Sequence, residues 1–346
     1  MKINVIAHEA KIDFERITSF LIIFILPLVL FKKRIFYNAK VAHRFCVLAL
    51  IYTLLTTTSL FIAGSGKSAF PGNFFGATTV SLTLVSVFSF FGLFYYTEYE
   101  KKIGLALCIL AYIACLASLA KWNFIVDIMI PFLLYKSWKR RVGKNFSKKI
   151  LLYVGLFIGL TVLMAKSDTF LTKFAKLNDY DTFQDFLNGR VLRAKTSSSN
   201  IDSGIVFEIS ADGGVKDGAR LAMWSDLISR TIDSPLTGLG LGARAFDYKK
   251  IYIEEHSLFF FSIAKFGFFL GFLFIAYIIK VFSAFYHIIR VNSKNSLSKI
   301  IFLGMILNFL FQSNVGNIWG QSIINLGLGL VIYFFMKPKN IIKSTY

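Results

Sequence analysis

The chain has 346 residues, 55% of them hydrophobic and 39 of them Phe, with a mean hydropathy of +0.62, far above soluble globular domains. A formal net charge of +20 raises the nucleic-acid class. The basic residues crowd short loops between apolar runs, however, which is the mark of membrane topology and anionic inner-leaflet lipid, so a lipid bilayer is expected and no nucleic acid. Cys46, Cys108 and Cys115 all fall inside apolar runs with no His or Cys at metal-ligand spacing, which excludes a disulfide framework or a zinc site.

Nine apolar spans are read along the chain, at about 17–31, 45–63, 74–97, 103–120, 124–135, 150–165, 256–285, 300–312 and 321–335, each judged against the roughly 20 residues that cross a bilayer as a helix. The fifth and ninth are short, and the seventh is long enough to tilt or break. Met1 to Arg16 is polar, and no small-residue cleavage site follows the first run, so no cleavable signal is expected. Loops 32–44, 98–102, 136–149, 286–299 and the C-terminal tail carry the Lys and Arg and fall on one side of the alternation. That side is the cytoplasm by the positive-inside rule. Nine spans leave Met1 to Arg16 on the other side unless the first span is a re-entrant hairpin.

Residues 166–255 form one long loop with 12 Lys/Arg against 13 Asp/Glu, near neutral and therefore placed on the outer face. Three parts follow: N-terminal transmembrane helices 1–165, the large loop 166–255 and C-terminal transmembrane helices 256–346. The expected fold class is an all-α polytopic membrane protein, with about nine or ten transmembrane helices and one partly helical periplasmic loop. Within the loop, 194–218 is rich in Ser, Gly and Asp and reads as flexible. From Ala219 to Ile232 a helical pattern returns, with Leu221, Met223, Trp224, Leu227, Ile228 and Ile232 on one apolar stripe. Ser234-Pro235 ends it, and Gly238, Gly240 and Gly242 follow as a backbone-permissive turn, not a phosphate loop.

Few residues in this pattern carry chemistry. Arg220 opens the loop helix, where its guanidinium forks onto phosphate oxygens or pairs on the surface with Asp217 or Asp226. His256, where the loop meets the seventh span, is suited to proton transfer or to binding a phosphate, or is a plain interfacial polar side chain. Lys121, at the outer end of the fourth span, is an ionisable residue between two spans or a snorkelling lysine beside Trp122. Asp127 lies inside the fifth span, where pairing with a Lys or Arg is its expected role. There is no GxSxG, no HExxH and no acidic cluster to hold a divalent metal.

From Gly218 to Gly271 the chain reads Gly218-Ala-Arg220-Leu-Ala-Met223-Trp224, then Ser234-Pro235-Leu-Thr-Gly238-Leu-Gly240, then Glu255-His256-Ser257, then Phe266-Gly267-Phe-Phe-Leu-Gly271. In order and spacing this resembles the signature region of the O-antigen ligase and O-antigen polymerase superfamily. Gly72-Asn73-Phe-Phe-Gly76 and the two spans reaching Lys121 resemble its central helices. Two positions depart from the family. Lys121 stands where an Arg is usual, keeping the charge without the bidentate fork. Ser257 stands where Asn commonly follows the His. The chain also has fewer spans than is usual in the family.

The resemblance implies a glycosyltransferase of the bacterial inner membrane, with its site facing the periplasm and a polyprenyl (undecaprenyl) diphosphate-linked glycan as donor. Neither cofactor nor metal is implied. Arg220 and His256 would be catalytic, and Arg220, Lys121, Arg230 and Arg244 would hold the diphosphate. The acceptor is a second lipid-linked repeat in an O-antigen or capsular polymerase and lipid A-core in a ligase; a chain-length regulator is a candidate partner. From a different class, a flippase or transporter of lipid-linked glycans is expected to show paired broken spans and short outer loops.

Overall fold

A computed structural model describes residues 2–33, 39–62, 78–117, 124–142, 224, 227–243, 247–248, 251–252, 257–293, 295–315 and 319–336. Among the described residues the long helices are α1 (Lys2–Lys33), α2 (Ala39–Ile62), α3 (Thr78–Tyr99), α4 (Lys102–Ala117), α5 (Phe124–Val142), α6 (Leu258–Asn292), α7 (Ser296–Val315) and α8 (Ser322–Phe335). They match eight of the nine expected spans; the span expected at 150–165 lies outside the described residues. Five of the helices are long and apolar enough to cross a membrane, which makes the chain a mostly helical, multi-pass membrane protein. α1 is one uninterrupted helix with Pro27 inside it, so the first span is not a hairpin. The β structure among the described residues is one small antiparallel hairpin, β1 (Asp247–Tyr248) and β2 (Ile251–Tyr252), which the periodicity did not signal because each strand is only two residues long.

The chain divides into two compact units, Met1–Phe14 with Ser167–Tyr277, and Glu15–Lys166 with Ile278–Tyr346. The second unit is a helix bundle centred on α3, which packs against α2, α4, α5, α7 and α8. From Val80 to Leu93 every α3 side chain is buried, and a helix apolar on all sides suits that central place. Two glycines let α3 and α4 touch. A Cβ on Gly92 would lie 2.7 Å from Cys108 N and Gly104 O, and one on Gly104 would lie 2.6 Å from Tyr96 N, the small-residue packing that brings membrane helices together.

Polar side chains join the helices of this bundle. Asn308 and Gln312 of α7 donate to Ser86 Oγ of α3, at 3.0 and 3.2 Å, and Ser86 donates to the Thr83 carbonyl at 2.6 Å. Between α1 and α8, Asn325 donates to Ser19 Oγ and to the Trp319 carbonyl. At the α6–α7 turn, Asn295 Oδ1 caps the Leu297 N–H. Glu98, at the end of α3, accepts from Ser293 and Ser298 hydroxyls beside that same helix start, where the α7 dipole favours a negative charge. Cys46, Cys108 and Cys115 are free and buried, the small apolar roles their positions imply.

Candidate functional site

The described part of the signature-like stretch, Trp224, Ser234–Gly240, Ser257 and Phe266–Gly271, falls in the first unit. A short helix over 227–232 leads in. Leu227 and Thr231 are buried on its inner side, and Thr231 Oγ1 donates to the Leu227 carbonyl at 2.6 Å. That internal bond satisfies the hydroxyl and lets Thr231 occupy a core position, while Ile232 is 62% exposed. The apolar stripe expected from the sequence is corrected accordingly: Ile232 is not part of the buried face. Trp224 stacks on Phe260, with centroids 4.5 Å apart and planes 15° from parallel.

α6 is not one rod. Gly267 has φ 78 and ψ 174, a conformation that L side chains rarely adopt. Phe259 and Phe272 have ring centroids 6.1 Å apart, where an unbroken helix would separate those positions by about 20 Å. A Cβ on Gly271 would lie 2.7 Å from the Ser262 carbonyl. The two arms therefore fold against each other. The first arm, 258–266, spans about 13 Å and is too short to cross a bilayer core of about 30 Å; the second, 268–292, is long enough at about 37 Å. Of the two arms, only the second is long enough to cross, so the seventh span's helix is broken at Gly267.

Breaking a helix frees carbonyls on one side and N–H groups on the other. The turn Pro235–Ala243 takes them up. Leu239 N–H donates to the Ala264 carbonyl at 2.7 Å, Gly240 N–H to the Lys265 carbonyl at 3.2 Å, and Phe268 N–H to the Pro235 carbonyl at 2.8 Å. Gly238, Gly240 and Gly242 all have positive φ, at 66, 78 and 85, as a backbone-permissive turn requires. Space adds a second demand at two of these positions. A Cβ on Gly238 would collide with Gly267 N, and one on Gly267 would lie 2.5 Å from the Pro235 carbonyl. Pro235, Gly238 and Gly240, together with the distant Gly267, are thus the parts of one backbone clip.

Two residues not singled out from the sequence complete the arrangement. Lys265, at the end of the first arm, and Asp13 of α1 form a fully buried ion pair, Nζ to Oδ2 at 3.2 Å. Asp13 Oδ2 also accepts the Gly242 N–H at 2.8 Å, and Lys265 donates to the Ala243 carbonyl. Lys265 was detectable as a lysine inside an apolar run. Asp13 was not, because it sits in a polar stretch with nothing local to mark it.

Ser257 is buried, and its hydroxyl accepts the Phe260 N–H at 3.3 Å. That is an N-cap, a role that Ser fills well. Arg230 is exposed on the short helix. Arg220, Lys121, Arg244 and His256 lie outside the described residues, as does the side chain of Asp127 on α5. No protein-family model matches the chain, and no curated protein matches it.

Proposed function

We propose that this chain is a membrane-embedded polysaccharide polymerase that transfers a glycan from a polyprenyl diphosphate carrier to a second lipid-linked repeat at the outer face of a bacterial inner membrane. The observation that carries the reading is the clip itself. The positions that resemble the superfamily signature, Pro235, Gly238, Gly240 and Gly267, are those whose backbones bond or touch.

The same geometry weighs against a transporter. Transport sites in broken helices use the freed backbone groups to hold the substrate or ion. Here Ala264 and Lys265 carbonyls and the Phe268 N–H are taken by the chain's own turn, so the break serves docking.

In this reading Arg220 and Lys121 supply fixed positive charge to the departing diphosphate, a role that needs no metal. The acceptor hydroxyl oxygen bonds the anomeric carbon while its proton passes to His256. The bond from that carbon to the diphosphate breaks, and the carrier leaves with the electron pair. Arg230 and Arg244 are further diphosphate contacts, and a chain-length regulator is a candidate partner. A ligase would differ only in taking lipid A-core as acceptor.

The test is Arg220→Ala and His256→Ala, each read by surface-polysaccharide gels alongside the amount of protein in the membrane. Loss of polymer with normal membrane levels is expected for both; normal polymer in both overturns the site. Lys121→Arg is expected to keep activity that Lys121→Ala loses, because charge is what the diphosphate needs.

A further inference from the structure

Among the described residues, Asp13 and Lys265 are the only charged side chains that are fully buried. Each is matched by the other and by backbone: Asp13 by the Gly242 N–H, and Lys265 by the Ala243 carbonyl. A buried charge is tolerated only when paired and hydrogen-bonded in this way. The pair ties the start of α1 to both sides of the clip, the end of the glycine turn and the end of the first α6 arm.

Its location has a topological consequence. Asp13 stands just before the apolar part of α1, and Lys32 and Lys33 end that helix. α1 is continuous and qualifies as a membrane span over His8–Lys33. A helix that crosses a membrane has its ends on opposite sides, and Asp13 lies toward the end that is bonded to the turn Pro235–Ala243.

We propose that segment 2–14 lies on the same side of the membrane as the glycine turn, opposite Lys33, and that Asp13 is a positioning residue which holds that turn on the broken helix. The sidedness stands on the ion pair and the continuity of α1. The positioning role in catalysis rests on the polymerase reading above, in which this side is the outer face.

The experiment uses single cysteines and a membrane-impermeant maleimide on membrane vesicles of defined orientation. The three native cysteines are buried, so background labelling is low. His8, Leu241 and Lys33 are exposed and give the sites His8→Cys, Leu241→Cys and Lys33→Cys. The expected result is that His8→Cys and Leu241→Cys label in the same orientation and Lys33→Cys in the other. Labelling of His8→Cys together with Lys33→Cys, and apart from Leu241→Cys, overturns the sidedness whatever the protein's activity.

For positioning, the reporter is Thr231→Cys, fully buried beside the turn, and Asp13→Ala is expected to raise its labelling rate by about tenfold or more as the turn opens locally. Adding Lys265→Met to Asp13→Ala is expected to return that rate toward the starting value, because no lone charge remains. Polymer yield should follow the same order. An unchanged rate in Asp13→Ala overturns the role of Asp13. A labelling rate that responds as expected while polymer is unaffected retains the latch and separates it from the proposed catalysis.

Discussion

Gly238 and Gly240 share a left-handed backbone but not the same surroundings. A Cβ on Gly240 meets nothing within 4 Å, whereas one on Gly238 collides with the backbone at Gly267. Gly240→Ala therefore incurs only the conformational cost, about 1–2 kcal/mol. Gly238→Ala adds a steric clash that only separation of the turn from the helix break relieves. The expected order in thermal stability of the detergent-solubilised protein is wild type above Gly240→Ala above Gly238→Ala, with Gly267→Ala as damaging as Gly238→Ala. Equal losses at Gly238 and Gly240 would contradict the close approach. At this scale the sequence was informative where a residue type has one physical use. Three glycines after a proline announced a turn, whereas Lys265, a lysine in an apolar run, was not singled out. It was uninformative where the partner is distant: Asp13 and Gly242 are 229 positions apart, and nothing local to Asp13 points there. Arg220 and His256 owe their candidacy to residue chemistry and resemblance, not to the described geometry.

Among the elements, the helices were legible because hydrophobic run length maps directly onto helix length in a membrane protein. The break in α6 was less so. A 35-residue helix is longer than any bilayer requires, which signals a tilt or a break but not its position. The position is set by Gly267, whose φ and whose contact with Pro235 no other residue allows. The central place of α3 also has a direct test at this scale. Its approach to α4 depends on Gly92 and Gly104, where an added Cβ would meet backbone on the opposing helix. Gly92→Leu or Gly104→Leu is expected to sharply reduce the amount of folded protein extracted from membranes. Ser86→Ala is expected to be milder, by about 0.6–2 kcal/mol for the interhelical hydrogen bonds it removes. An equal effect from Ser86→Ala would mean that polar contacts and not backbone proximity hold α3 in place.

For the whole molecule, the chain order and the compact units differ in an instructive way. The first 14 residues belong with the loop region Ser167–Tyr277, and the bundle is assembled from segments on either side of it. Composition and the positive-inside pattern give an expected number of crossings, but they do not say which segments pack together. That depends on a few long-range bonds, of which the Asp13–Lys265 pair is the clearest. In the proposed function, the clip between the glycine turn and the helix break stands beside the short helix over 227–232. The central claim is that the chain polymerises lipid-linked glycan repeats. The direct measurement is lipopolysaccharide gel banding in cells that lack this chain, with and without its gene restored. The account predicts lipid A-core bearing a single repeat in its absence and a full ladder on restoration. Bare core with long polymer left on the carrier would identify a ligase instead, and an unchanged ladder would contradict a role in this polymer altogether.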